Sequence, residues 1–195
     1  MPTTSATPVI IKEKLPKMYQ WLADEEGPKI LREALSHFGT LELKGKDNNP
    51  DITRWAAEIG GSVADVYKND EIPWCGLFIA ICAKRAGYAL PKDPLWALNW
   101  GTFGVSQPVA MLGDVLTFIR KTATGARAGH VALYVGEDEA AYHVLGGNQS
   151  DCVCVTRIAK SRLYAIRRSN FKVAQPKNVR QVLLSVGGKL SENEA

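Results

Sequence analysis

Residues 70–88 read Asp-Glu-Ile-Pro-Trp-Cys-Gly-Leu-Phe-Ile-Ala-Ile-Cys-Ala-Lys-Arg-Ala-Gly-Tyr, and this stretch decides the fold. The apolar run that follows Trp74 and stops at Gly87 predicts a buried helix. Pro73 biases the residue before it toward an extended conformation, so we expect the helix to begin just after Trp74. Cys75 therefore lies at the N-terminal end of the predicted helix.

The segments on the two sides of this helix differ in pattern. Three helices are predicted before it. The first, at 15–26, is an apolar stretch that a glycine closes, and the second, at 28–38, begins with a proline. The third, at 49–60, begins with Asn-Pro and ends at a Gly-Gly pair. Short β-rich runs follow it, separated by turn residues, at 114–120, 129–136, 141–145, 152–158 and 163–168. This order predicts an α+β fold with N-terminal helices packed on a small antiparallel sheet.

Length and charge suggest one domain with additions at both ends. The chain has 195 residues and a formal charge of +4. Residues 1–156 hold 15 Lys/Arg and 18 Asp/Glu, whereas residues 157–195 hold 9 and 2. We predict a flexible leader at 1–14, one folded domain at 15–170 and a basic C-terminal extension at 171–195.

The N-terminus shows no Sec-type export signal, because it lacks a basic start followed by an apolar run of roughly 7 to 15 residues. The longest apolar stretch, 74–83, falls well short of the ~20 residues that span a bilayer. We therefore expect synthesis in the cytosol and no transmembrane segment. The cysteines and histidines form no zinc-ligand spacing, so we expect neither a metal nor a cofactor.

Cys75 has two interpretations. Unpaired amides and the dipole at a helix N-terminus stabilise a thiolate and lower the pKa of the thiol, which suits a nucleophile. A free cysteine is also commonly a small buried hydrophobic residue, and position alone does not separate the two. Cys82 lies two turns deeper on the same helix face, and Cys152 and Cys154 alternate on a predicted strand, so we expect these three to be packing residues.

A nucleophilic cysteine needs a base, and the chain holds three histidines. His37 ends the second predicted helix, where its charged form meets the helix dipole favourably, so we expect a structural role. His130 and His143 fall on the two strands of one predicted hairpin. His143 has the opposite parity to His130, and we expect its replacement to be nearly neutral.

The register of this hairpin selects the residue that orients the base. If Gly136 pairs with Tyr142 and the ladder continues unbroken, His130 faces Asn148 directly. Gln149 then points to the other face of the sheet. This register predicts His130 as the base and Asn148 as the residue that holds its imidazole in the useful tautomer.

These motifs together resemble a known family. Pro73-Trp74-Cys75 opening an apolar helix, then Gly113-Asp114-Val115, Gly129-His130-Val131 and Leu145-Gly-Gly-Asn-Gln149, is similar to the papain-like cell-wall hydrolases of the CHAP and NlpC type. The Asn49-Pro50 lead-in resembles a subgroup common among phage lysins. The similarity runs from about Trp21 to Arg168. Many CHAP members carry a glutamate where this chain has Gly146.

The resemblance implies a papain-like catalytic domain at 15–170 with a cysteine at a helix N-terminus. It implies that Cys75 is the nucleophile, His130 the general base and Asn148 the polar third residue. It further implies peptidoglycan as the substrate, cut either within the stem peptide or at the muramoyl-L-alanine bond. Such a hydrolase meets the bacterial cell wall after release by a phage holin or by a secretion machine, and we expect a monomer.

Backbone amides at the helix start, including that of Cys75, are expected to hold the oxyanion. Tryptophans near the cysteine are candidates for lining a substrate cleft, although tryptophans spaced four apart, as Trp96 and Trp100 are, more often pack in the core. Our candidate substrate-binding residues are Trp74, Gly76, Trp100 and Gly129.

Two alternatives remain open at this stage. A papain-like hydrolase could act on a protein as a peptidase or deamidase. A non-enzymatic module could instead bind an anionic polymer, because residues 157–190 contain nine Lys/Arg and no acidic residue. Nucleic acid is not an expected partner, since this segment lacks interleaved aromatics beyond Tyr164 and Phe171 and carries no recognition motif.

Overall fold

The computed structural model describes residues 8–43, 47–121, 127–171, 174–185 and 189–191, without the side chains of Lys121 and Arg127. The first seven residues of the predicted leader lie outside these ranges. Within them, the α-helices are α1 (Lys29–Ser36), α2 (Pro50–Ile59), α3 (Gly61–Val66) and α4 (Cys75–Arg85). Short 3-10 helices cover Lys12–Lys14, Lys17–Asp24, Ala97–Thr102 and Lys160–Arg162.

The strands follow the helices and form one antiparallel sheet. They are β1 (Val105–Ser106), β2 (Val115–Lys121), β3 (Arg127–Glu137), β4 (Ala141–Gly146), β5 (Cys154–Ala159) and β6 (Leu163–Arg168). Their spatial order is β1-β6-β2-β3-β4-β5, and every neighbouring pair is antiparallel. The predicted α+β class is confirmed. No helix among the described residues is both long and apolar enough to traverse a bilayer.

The local signals before α4 place the helices largely as predicted. The Asn49 side chain accepts a hydrogen bond from the Asp51 amide at 2.8 Å, so it caps α2 as expected. The predicted first helix differs, because the chain forms a 3-10 helix over Lys17–Asp24. The Arg32 guanidinium binds the carbonyl oxygens of Ala23 and Glu25 at the end of this segment, which satisfies acceptors that a longer helix would have used.

Helix α4 lies at the centre of the core. All of Cys75–Ala83 is buried, as expected for a helix that is apolar on every side. The helix packs against α1, α2 and β3. Burying each of its large apolar side chains contributes roughly 1.5–3 kcal/mol, so α4 anchors the layer of helices to the sheet.

The β3–β4 hairpin has a different register from the uninterrupted ladder predicted above. Tyr134 pairs with Val144 as expected, but Gly136 pairs with His143 instead of Tyr142. A β-bulge between Tyr134 and Gly136 inserts one extra residue and causes this shift. Because β4 ends at Gly146, the ladder also stops before Asn148, and the predicted pairing of Asn148 with His130 is wrong.

His143 belongs to a buried polar network. Its Nε2 lies 2.8 Å from Asp138 Oδ2, and its Nδ1 lies 2.6 Å from the Tyr19 hydroxyl. Arg157 also binds Asp138 Oδ2, at 2.7 Å, and together with His143 it holds the pKa of that carboxyl well below its usual range. His143 therefore ties the β3–β4 turn to the N-terminal segment, contrary to the near-neutral replacement expected from its parity.

The segment 174–185 lies against the folded domain. The Val182 amide donates to the Tyr134 hydroxyl at 3.1 Å, and the Leu184 amide donates to the Glu137 carbonyl at 2.8 Å. Arg180 pairs with Glu25 at 2.8 Å. These contacts fasten the segment across the β3–β4 turn and the N-terminal helices. The boundary at 171 stays a prediction.

Most basic residues of the segment 157–190 have intramolecular partners. They bind carboxylates such as Asp114 and Glu137, or backbone carbonyls of neighbouring strands and loops. The residues in such contacts are Arg157, Lys160, Arg162, Arg167, Arg168 and Arg180. The positive charge at this end of the chain therefore contributes largely to tertiary structure.

We predict that His143→Gln destabilises the fold by about 2–4 kcal/mol, because it leaves buried partners poorly satisfied. Burial lowers the pKa of His143, against a smaller opposing effect of Asp138. The unfolded chain therefore binds more protons near its ordinary pKa of about 6.5. Wild-type stability should fall as the pH drops through this range, and the variant should lose this part of the pH dependence.

Urea denaturation at pH 7.5 and pH 5.5 measures both effects. Tyr19→Phe is the matched control, since it removes one hydrogen bond of the network but keeps the histidine and its titration. A His143→Gln protein with the wild-type pH dependence would contradict a buried neutral His143.

Candidate active site

Cys75 begins α4, and Trp74 at the N-cap position makes no side-chain capping hydrogen bond. The first amides of a helix have no intrahelical acceptor. The backbone amides of Val131 on β3, of Gly76 and of Cys75 itself each act to lower the pKa of the Cys75 thiol. The thiol therefore sits between the start of α4 and the strand that carries His130.

Cys75 is buried, because only 4% of the residue is exposed to solvent. Burial raises the pKa of Cys75, while the amides of Val131 and Gly76 and the charge of Arg120 lower it by less. The lowered pKa expected from the helix N-terminus is therefore wrong in its net direction. The raised pKa means that the resting thiol is protonated at neutral pH.

His130 lies on β3 and is fully buried. It pairs with Phe118 on β2, so both strands fix its backbone. Its Nε2 lies 3.0 Å from the Gln149 side-chain oxygen Oε1. Gln149 is thus the residue that holds the imidazole, in the role that the sequence assigned to Asn148.

The orientation of the Gln149 carboxamide is fixed by its other end. Its Nε2 donates to the Cys154 carbonyl at 2.5 Å and to the Val144 carbonyl at 3.3 Å. Two acceptors on this side place the amide nitrogen there and leave Oε1 to accept from His130. Neutral His130 therefore carries its proton on Nε2, and Nδ1 is its basic nitrogen.

Among the described residues, no hydrogen bond joins Asn148 to His130. Asn148 has a left-handed backbone conformation, with φ of 56°, in the turn that follows β4. Asparagine tolerates this conformation better than most residues, which gives Asn148 a structural reason for its position. The turn reverses the alternation assumed for a strand, so that Gln149 points at His130. The Gly146-Gly147 pair before it was the sequence signal that the strand had ended.

Three of the predicted substrate-binding residues face the protein interior. Trp74 and Trp100 are fully buried, and their indole N–H groups donate to Glu42 and to the Pro94 carbonyl. A Cβ atom on Gly76 would lie 2.5 Å from the Pro94 and Leu95 carbonyl oxygens. Trp74 and Trp100 therefore pack in the interior and Gly76 packs against the loop at 94–95, and none of the three is among the residues that line the groove beside Cys75.

A groove of about 480 Å³ opens beside Cys75. Gly129 lines it, and the missing side chain of this glycine lets Leu98 pack close to β3. Trp96, which is 74% exposed, and Tyr164, which is 48% exposed, also line it. The remaining lining residues are Pro73, Leu95, Ala97, Leu98, Asn99, Arg120 and Ala128.

The other cysteines lie away from the groove. Cys82 is fully buried in α4. Cys152 and Cys154 are half-buried, and the interaction between the two thiols raises the pKa of Cys152 and lowers that of Cys154. The Cys154 thiol also donates to the Gln149 carbonyl at 3.4 Å. Among the described residues, no group of three or more His, Cys, Asp or Glu side chains could hold a metal ion.

Comparison with known proteins gives one structural similarity. No family model matches the chain, and no curated protein matches it. A crystal structure from Staphylococcus aureus, described as similar to a lipoprotein of the NLP/P60 family, matches over 86% of this chain with a TM-score of 0.44 and 19% sequence identity. The chain spans 46% of that protein's length. This similarity assigns neither a family nor an activity to the chain.

We predict that neutral His130 is the Nε2–H tautomer. Nitrogen-15 chemical shifts of histidine-labelled protein measure this directly. Gln149→Ala should shift the His130 signals and speed the exchange of the Nε2 proton, because its acceptor is gone. Asn148→Gly, which keeps the left-handed backbone, should leave them unchanged. A His130 proton on Nδ1 in the wild type would contradict the assigned orientation of Gln149.

Proposed function

We propose that this chain is a papain-like cysteine hydrolase that cleaves an amide bond of peptidoglycan. Cys75 is the nucleophile, His130 the general base and Gln149 the residue that orients the base. The target is either a bond of the stem peptide or the muramoyl-L-alanine bond. The motif order from Trp74 to Gln149 and the groove beside Cys75 support this proposal.

The observation that carries the proposal is the Gln149–His130 hydrogen bond. A buried carboxamide anchored by two carbonyls sets the proton of His130 on Nε2. A cysteine hydrolase needs this tautomer if Nδ1 is to take the thiol proton. The amide of Val131, the residue that follows His130, acts to lower the pKa of Cys75, which supports a position of the thiol close to the strand that carries the base.

The first half of the reaction forms a thioester. His130 Nδ1 takes the Cys75 proton, and the thiolate attacks the carbonyl carbon of the scissile amide. The C–N bond then breaks as the imidazolium returns the proton to the leaving amine. Burial raises the pKa of Cys75, so proton transfer to His130 accompanies the attack.

The second half hydrolyses the thioester. His130 removes a proton from water, and the hydroxide attacks the thioester carbonyl. The C–S bond then breaks to release the acid, and the imidazolium returns its proton to the departing sulfur, which restores the thiol and the neutral base. The first amides of α4, which have no acceptor within the helix, are the donors suited to the oxyanion in both halves. Losing one such donor typically costs about 100- to 1,000-fold in turnover.

The cell wall is the proposed place of action. A chain made in the cytosol would reach it through a phage holin or a secretion machine. The alternative of a basic polymer-binding module loses support, because six of the nine Lys/Arg in 157–190 have intramolecular partners. A hydrolase acting on a protein substrate differs from the proposal only in what fills the groove.

Cys75→Ala should abolish the release of soluble muropeptides from isolated murein, and His130→Ala should do the same. Each change removes one of the two groups that transfer the proton. Cys75→Ala should keep the free energy of unfolding within about 1–2 kcal/mol of wild type. Mass spectrometry of the products identifies the bond that is cut.

Cys82→Ala is the matched control, since it removes a buried thiol from the same helix two turns away. It should retain activity. Undiminished release by Cys75→Ala or His130→Ala would refute the assignment of nucleophile and base. A wild-type protein that releases nothing from murein would refute peptidoglycan as the substrate.

Gln149→Ala should lower turnover without abolishing it. A hydrogen bond to a charged group is worth about 1.5–3 kcal/mol, and His130 becomes charged during the reaction. This energy corresponds to a rate loss of about 10- to 150-fold. Asn148→Gly should lose much less, because no hydrogen bond between the described residues joins Asn148 to His130. Steady-state kinetics on the same substrate compare the two, and an equal loss in both variants would count against Gln149 as the orienting residue.

A further inference from the structure

Arg120 occupies an unusual position in the groove. It lies near the end of β2, where it pairs with Ala128. Its Nε atom is buried, and no described residue offers an acceptor within hydrogen-bonding distance. Burying an arginine nitrogen without an acceptor is unfavourable, so a ligand that brings an acceptor to this point is favoured there.

The strand register places Arg120 close to the proposed base. Phe118 faces His130 across the β2–β3 ladder, and Arg120 is two residues further along β2. His130 and Arg120 are therefore diagonal neighbours on one face of the two strands, with Cα atoms roughly 7–8 Å apart. The charge of Arg120 also acts on the Cys75 sulfur. A group bound to Arg120 thus lies within about one residue of the scissile bond.

The rest of the groove suits a planar anionic group. Among its described lining residues, Arg120 alone is charged, and none is acidic. The Trp96 ring, which is 74% exposed, forms an apolar wall of the same groove. A guanidinium presents N–H donors in a fork that matches a carboxylate. The groove therefore combines one cationic fork with an apolar wall.

We propose that Arg120 is a specificity-determining residue that binds a carboxylate of the substrate next to the amide bond attacked by Cys75. This inference rests on the proposed function and adds to it that the substrate is anionic on the Arg120 side of the scissile bond. An uncharged carboxamide at the same place would lose the charge-assisted pair and leave the guanidinium without its anion.

The experiment compares two forms of one murein preparation, one with free carboxylates and one in which carbodiimide and ammonium have converted them to carboxamides. Wild-type protein should cleave the free-acid form with a kcat/KM about 10- to 100-fold higher. Arg120→Gln should bring this ratio close to one. Arg120→Lys should give an intermediate ratio, because a point charge lacks the fork. The ratio of the two kcat/KM values measures recognition of the carboxylate alone, because the same nucleophile attacks both forms.

Arg54→Gln is the control for charge. It removes an exposed arginine of α2 that pairs with Asp51 and does not line the groove, so it should keep the wild-type ratio. A parallel series carries Cys75→Ala, which cannot cleave, and measures binding of the acid and amide muropeptides by calorimetry. Binding reports the preference even where a variant has lost turnover.

The outcomes separate this inference from the proposed function. A ratio that collapses in Arg120→Gln and persists in Arg54→Gln supports the carboxylate site. Equal cleavage of both forms by wild type, or a preference that survives Arg120→Gln, overturns the role of Arg120 and leaves the hydrolase intact. Failure of wild type to cleave either form overturns both.

Discussion

Helix α4 is buried on all sides over Cys75–Ala83, so every neighbouring element must pack around it. Two glycines make this possible. A Cβ atom on Gly76 would lie 2.5 Å from the carbonyl oxygens of the loop at 94–95, and one on Gly147 would lie 2.6 Å from Phe78. The loop and the turn after β4 can therefore approach the start of the helix. The same approach brings the turn that carries Gln149 toward β3, so packing and the candidate site share one cause.

Sequence reasoning predicted the elements better than their connections. The buried helix, its start after Trp74 and the meander of strands follow from apolar length, proline and turn residues, and the structure contains them. The predicted hairpin register is correct at Tyr134–Val144 and wrong toward the turn, because a β-bulge adds a residue between Tyr134 and Gly136 and no local pattern marks its position. The chain turns after β4, and side chains alternate between the two faces only while a strand continues. Gln149 therefore points at His130 in place of Asn148.

The tryptophans illustrate a second limit. Trp96 and Trp100 are chemically alike and one turn apart, yet Trp96 is 74% exposed in the groove and Trp100 is fully buried. The Pro94 carbonyl accepts from the Trp100 indole and fixes it inside. Burial of one ring and exposure of the other depend on tertiary contacts of the loop at 94–95. Composition and spacing therefore do not decide which of the two rings lines the groove.

Gln149 also connects the candidate site to a second pair of thiols. Its carboxamide donates to the Cys154 carbonyl, and the Cys154 thiol donates to the Gln149 carbonyl. Cys154 and Cys152 are half-buried, whereas Cys75 is 4% exposed. An alkylating reagent therefore reaches Cys154 more readily than it reaches the proposed nucleophile, and a bulky adduct there disturbs the support of His130. Loss of activity on alkylation would therefore first reflect damage to the hydrogen bond between Gln149 and His130. Chemical titration of the nucleophile needs a chain in which Cys152 and Cys154 have been replaced.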